Sequence, residues 1–307
     1  MKRPLIAHIS LFTAEAFWGL MAPLGKDAMT HGITGLDLVS MRVLGGAILF
    51  WITSLFMPKE KVPPRDLIKL IGAGILGLVT NQCCYTIGLS ITSPVNASIV
   101  TTSLPIFAMI LAAIFMKEPI TGKKATGVAI GCIGAVILIV TSAASGNSKV
   151  GNIWGDLMCM GAQLSFALYL ALFSKMIRKY SVITVTKWMF TYATILILPF
   201  TANHLTQIDY MAVPISTWWE TAFVVFMGTY VAYLLMMVAQ NTLRPTVVSI
   251  YNYVQPVVAV TVSLITGLSI FKPTQAVAVI LVFSGVWLVI KSKSRGDIER
   301  AKQANDK

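Results

Sequence analysis

The sequence predicts an all-α integral membrane protein with ten transmembrane helices, arranged as two inverted five-helix repeats. Three observations carry that expectation. Of the 307 residues, 56% are hydrophobic and only 12% charged, whereas soluble domains average roughly 45–50% and about 25%. The apolar residues gather into ten runs, each close to the about 20 residues that a bilayer span requires. A shift of 151 residues then lays the fourth and fifth runs on the ninth and tenth without a gap. Ten spans use roughly 200 residues, which leaves connectors and a tail but no sizeable extramembrane domain.

The runs cover residues 5–27, 36–57, 67–89, 94–116, 124–142, 153–174, 184–201, 217–239, 246–269 and 274–290. The first follows Met1-Lys2-Arg3 and passes Ala14-Glu15-Ala16, which imitates a signal-peptide cleavage site. It continues through Phe17-Trp18-Gly19-Leu20-Met21, so it is read as a retained helix and not as a leader. Charges and two prolines from Lys59 to Asp66 separate the second run from the third. Gly72-Ala73-Gly74-Ile75-Leu76-Gly77 fits G-x-G-x-x-G, but no strand precedes it, so it is a packing stretch and not a dinucleotide site. Pro94 opens the fourth run and Pro245 the ninth, where a first helical position tolerates the missing N–H. In the fifth, Gly127, Gly131 and Gly134 predict a close helix contact and a candidate homodimer face. Small polar residues from Ser142 to Asn152 divide a first repeat (1–146) from a second (147–290), and residues 291–307 form a basic tail. Glu220 beside Trp218-Trp219 marks the outer interface, with an aromatic belt at the start of the eighth run.

Charge sets the orientation. The net charge is +12, but the basic residues lie between runs and in the tail, so they point to a bilayer and not to nucleic acid. With the amino terminus inside, 20 of the 24 Lys and Arg fall on the inner side and 4 on the outer. Positive residues collect on the cytoplasmic face, which puts both termini in the cytoplasm. Cys83, Cys84, Cys132 and Cys159 lie within apolar runs and read as small packing residues. His8, His31 and His204 are scattered, so no metal site is expected.

The repeat is the strongest functional signal. Under the 151 shift Pro94 meets Pro245, Ser98 meets Ser249, Pro105 meets Pro256 and Gly134 meets Gly285, within 10 identities over 46 positions. A shift of 149 pairs Phe17 with Phe166, Ala22 with Ala171 and Lys26 with Lys175. Five spans per copy is an odd number, so the second copy enters the bilayer from the opposite side. Inverted halves with a binding site near the midplane are a known design of secondary transporters. A membrane-embedded lipid-modifying enzyme is the alternative, but the chain carries no H-E-x-x-H or paired aspartates.

Trp18-Gly19 followed by Lys26, and the stretch from Ser93 to Glu118 with Ala97-Ser98 and Leu104-Pro105, resemble patterns of the EamA-type members of the drug/metabolite transporter superfamily. The resemblance covers essentially the whole chain. It implies export or exchange of small polar metabolites or amino acids across the bacterial inner membrane, without a cofactor. Two positions depart from the pattern: Ser269 aligns with Glu118, and Ala167 falls where Trp18 would. Any role of the acidic residue therefore belongs to the first half alone.

Ionisable and amide groups deep in a membrane are costly and suggest function. Glu15 is the ionisable residue nearest a span centre, suited to bind a proton or a cationic substrate, or to hydrogen-bond a neighbouring helix. Arg42 and Lys187 lie about a turn inside their spans and are expected to snorkel to the headgroups. Asn81, Gln82, Tyr85, Gln163, Tyr169, Tyr230 and Tyr233 share a similar depth in the third, sixth and eighth runs, as expected for a solvated cavity or for interhelical hydrogen bonds. Pro105 and Pro256 each free the carbonyl four residues earlier, at Thr101 and Asn252. Ser98, Thr101 and Pro105 share one helical face, as do Ser249, Asn252 and Pro256. Both faces are expected to line a pathway, with Trp18 and Tyr253 beside it.

Overall fold

The computed structural model describes residues 2–92, 97, 100–143, 152–265 and 273–293. Ten helical segments occupy them: α1 (Lys2–Thr30), α2 (Gly35–Leu55), α3 (Pro64–Ile91), α4 (Leu104–Met116) and α5 (Gly122–Ala143) form the first half. The second half holds α6 (Ile153–Ile177), α7 (Val182–Gln207), α8 (Ile215–Thr242), α9 (Pro245–Ile250, a 3₁₀ turn Tyr251–Tyr253, then Val254–Ile265) and α10 (Pro273–Ile290). Six of them (α1, α2, α3, α6, α7 and α8) are long and apolar enough to cross a bilayer. Each segment falls on one of the ten apolar runs. The tail beyond residue 293, and with it most of the basic cluster, lies outside the described residues, as do Pro94, Asn96 and Ser269.

Beside an apolar core, large apolar side chains face outward and several polar ones are buried. Leu55, Phe56 and Phe200 are 78%, 84% and 82% exposed, whereas Glu15, Arg42 and Gln82 are 1%, 3% and 1% exposed. Apolar side chains outside and polar groups inside are what a hydrocarbon solvent requires.

The two halves are related through their packing. α1 lies against α8 and α9; its counterpart α6 lies against α3 and α4. α2 lies against α7, α4 against α9 and α5 against α10, each on its own counterpart, while α3 also packs on α7 and α8 on α2. That exchange pattern is what a two-fold relation between repeats demands. A finer feature repeats too. α3 widens into a π-helical turn at Ile75–Thr80 and α8 at Phe226–Val231, offset by the same 151 residues as the sequence match.

Local irregularities are satisfied by side chains from neighbouring helices. In a π turn a backbone carbonyl loses its regular i+4 partner. Trp18 of α1 donates its indole N–H to the Gly228 carbonyl at 2.9 Å, and Ser165 of α6 donates its hydroxyl to the Leu76 carbonyl at 2.7 Å. Ser165, two residues before Ala167, thus does for the first half what Trp18 does for the second. The C-terminal carbonyls of α3 receive Lys26 Nζ, at 2.8 Å from Leu89 and 3.0 Å from Ser90. Those of α8 receive Arg178, whose Nη2 lies 2.6 Å from the Leu243 oxygen. The functional counterpart of Lys26 is therefore Arg178 and not Lys175. A cation at a helix C-terminus both donates to orphan carbonyls and opposes the helix dipole. At the ends of the spans Lys179 and Tyr180 donate to Asp66, and that carboxylate holds the Lys179 ammonium above its usual range through the hydrogen bond.

The glycine stripe of α5 is used within the chain. A Cβ on Gly127 would meet the Gly285 carbonyl at 2.9 Å, and one on Gly285 would meet the Gly127 carbonyl at 2.6 Å. The face proposed for a dimer is occupied by α10, because only glycine lets the two backbones approach so closely. Gly72 and Gly77 likewise sit under the rings of Phe173 and Tyr169, as a packing stretch should.

Gly285→Ala should therefore push α10 away from α5 and destabilise the protein by about 1–3 kcal/mol, read as a lower melting temperature in detergent. Gly122→Ala, where nothing lies within 4 Å of the added carbon, should leave it unchanged.

Candidate functional site

A cavity opens between the halves, with about 60 Å³ accessible to the centre of a water molecule, room for about four waters. Each half contributes to its wall. From the first come Trp18, Arg42, Asn81, Gln82, Tyr85 and Thr101; from the second, Gln163, Phe166, Tyr233, Asn252 and Gln255. Two residue pairs related by the 151 shift, Gln82 with Tyr233 and Thr101 with Asn252, face each other across it.

Both pairs are hydrogen-bonded. Gln82 Nε2 donates to the Tyr233 hydroxyl at 3.2 Å. Asn252 Nδ2 donates to the Thr101 carbonyl at 2.7 Å. Thr101 precedes the helix break at residues 102–103, so the carbonyl at that break is met by the equivalent residue of the other repeat. The break itself lies earlier than expected. Pro105 occupies the first turn of α4 after a turn at residues 102–103, where its missing N–H leaves no bond broken. In α9 the irregularity is the 3₁₀ turn at Tyr251–Tyr253, just before Pro256.

A chain of polar groups extends from this point. Gln255 Nε2 lies 2.6 Å from Asn252 Oδ1 and 2.7 Å from Glu15 Oε2. Glu15 is thus tied to the cavity wall through one amide, without lining the cavity itself. Gln255 escaped the sequence reading because its repeat partner is the apolar Leu104. Its position three residues after Asn252, on the same helical face, was the available signal.

Arg42 overturns the expectation that it snorkels. It is buried, lines the cavity and places Nε 2.9 Å from the Thr229 hydroxyl of the π turn in α8. Sequence spacing put it a turn inside α2, but the chain begins that helix against the body of the protein and not against lipid. Lys187 stays near a helix end, 2.7 Å from Ser54 Oγ and over the Trp51 ring.

Other sequence-predicted residues fall outside the cavity wall. Tyr169 donates to Gln240 Oε1 at 2.9 Å, and Tyr230 shares a 2.6 Å bond with the Thr53 hydroxyl. Tyr253 donates to the Val128 carbonyl at 3.1 Å, and Ser249 to its own helix at Thr246. Their depth is right, but the three tyrosine hydroxyls join helices and the Ser249 hydroxyl bonds within its own. Pro105 and Pro256 are buried behind the wall, and Ser98 lies outside the described residues. Glu118 is also remote from the cavity. It pairs with buried Lys124 at 2.8 Å and accepts from Thr246 at 3.1 Å, tying the loop after α4 to the start of α9.

Comparisons with known proteins agree with this architecture. The model of the EamA-like transporter family matches twice, at residues 5–140 and 153–291. The chain is 25% identical over 289 residues to the uncharacterized transporter YyaM of Bacillus subtilis, covering 92% of this chain and 91% of that one. It is 21% identical over 302 residues to the uncharacterized transporter YetK of the same organism, covering 97% and 90%. A protein of known crystal structure shares the fold with a TM-score of 0.74 at 17% identity, over 92% of this chain and 95% of that one. With a cavity between two packed repeats, and both repeats matched along nearly their whole length, the chain belongs to the EamA-like transporter family.

Proposed function

We propose that this transporter moves small polar solutes, metabolites or amino acids, across a bacterial inner membrane by alternating access through the cavity between its repeats. Both termini face the cytoplasm in this reading, and export or exchange is its direction. The observation that carries it is the wall shared between Gln82 and Tyr233 and between Thr101 and Asn252. Two similar halves of opposite orientation have inward-open and outward-open packings of comparable energy, and a site on their two-fold relation is reached from either side. The cavity is polar where hydrocarbon would forbid it, as a solute path requires. The π turns of α3 and α8 beside it are irregular points at which those helices can bend.

Glu15 supplies the coupling. Its carboxyl is buried and, among the described residues, accepts from the Gln255 amide, so protonation there is felt at Asn252 through a single side chain. A proton gradient or the solute's own gradient drives the cycle.

Counterflow in proteoliposomes tests the transport reading. Vesicles loaded with an unlabelled solute found by thermal-shift screening should accelerate uptake of the labelled form several-fold over empty vesicles. Uptake indifferent to internal solute would argue against a carrier. Glu15→Gln should abolish the pH dependence of that uptake while leaving counterflow in place, and an unchanged pH profile would remove Glu15 from the mechanism.

A further inference from the structure

The cavity wall holds two buried groups whose bonding capacity is not used up. Arg42 is 3% exposed and carries a permanent charge. Among the described residues no carboxylate lies within 4 Å of it, for the ion pairs there involve Asp27, Asp66 and Glu118. The phenols of Tyr85 and Tyr233, which line the same cavity, are ordinarily uncharged near neutral pH. Among the described residues the hydrogen-bond partner of Arg42 is the neutral hydroxyl of Thr229. A buried cation without a counter-ion is costly, and a fold that retains one in a cavity wall is built to receive an anion there. The second group is Gln82. Its nitrogen is committed to Tyr233, while its oxygen is buried and has no hydrogen-bond partner.

From these we infer that the cavity binds a small monocarboxylate bearing a hydrogen-bond donor, with the carboxylate on Arg42 and the donor on the Gln82 oxygen. The inference rests on the transport reading and names the substrate class of that same site. The guanidinium fork matches a planar carboxylate with two parallel bonds. Gln82 accepts from a hydroxyl or ammonium carried near that carboxylate. Glu15 does not compete for the guanidinium, because Gln255 holds it behind the wall. The cavity's room for about four waters favours ligands of a few heavy atoms over bulky ones. A 2-hydroxy or 2-amino acid has both groups on adjacent carbons; an alkylamine has the donor alone, and a simple fatty acid the carboxylate alone.

The test uses purified full-length protein and a matched set of probes: L-lactate and L-alanine, propionate, then lactamide and propionamide. Thermal stabilisation should be greatest for lactate or alanine, weaker for propionate and absent for the two amides. Arg42→Met should weaken binding of the stabilising acid by about 30-fold or more, and Arg42→Lys should restore part of it. Amides that stabilise as well as their acids overturn the inference using wild-type protein alone, so the result does not depend on the variant folding. Counterflow separates this inference from the reading beneath it. If an acid binds through Arg42 yet supports no counterflow, the carboxylate site stands and the transport reading falls. If a solute without a carboxylate is carried and Arg42→Met leaves its transport intact, transport stands and the carboxylate assignment falls.

Discussion

Hydrocarbon offers no hydrogen bonds, so every backbone group released from a regular helix must find its partner inside the protein. Leaving one unpaired costs several kcal/mol. This chain meets that constraint mostly by borrowing from the other half. The π turn of α8 is completed by Trp18 of α1, that of α3 by Ser165 of α6, and the carbonyl released at Thr101 by Asn252 of α9. Neither repeat is chemically complete by itself. The irregular points and their partners crowd the middle of the molecule, where the halves meet, and that is where a polar cavity can persist.

A second set of contacts works within each half. Lys26 and Arg178 hold the last carbonyls of the third helix of their own repeat. Between the halves the bonds include Lys179 on Asp66 and Arg42 on Thr229 beside the Gln82–Tyr233 and Asn252–Thr101 pairs. Arg42 and Gln82 line the cavity at this seam.

Much of this was legible in the sequence. Among the described residues ten helical segments fall on the ten apolar runs, and six of them have the length and hydropathy of a span. The 151 shift found the counterpart relations α4–α9 and α5–α10, and Thr101 and Asn252 as positions that matter. What was not legible depended on the third dimension. Arg42 looked like a snorkelling residue because distance along a helix says nothing about whether protein or lipid faces it. Tyr169, Tyr230 and Tyr253 had the right depth, but depth does not distinguish a cavity wall from an interhelical bond. Gln255 was hidden by an apolar counterpart, Lys26 was matched to Lys175 where Arg178 does the work, and the π turns leave no mark in composition.

The central claim is that one cavity between the repeats is reached in turn from both sides of the membrane. Gln163→Cys, in a background without the four native cysteines, places a thiol in the cavity wall for a membrane-impermeant maleimide to report on. In vesicles of known orientation, reagent added on either side should label it, and a bound solute should slow both reactions. Labelling from one side only, under every gradient and solute condition, would contradict the account.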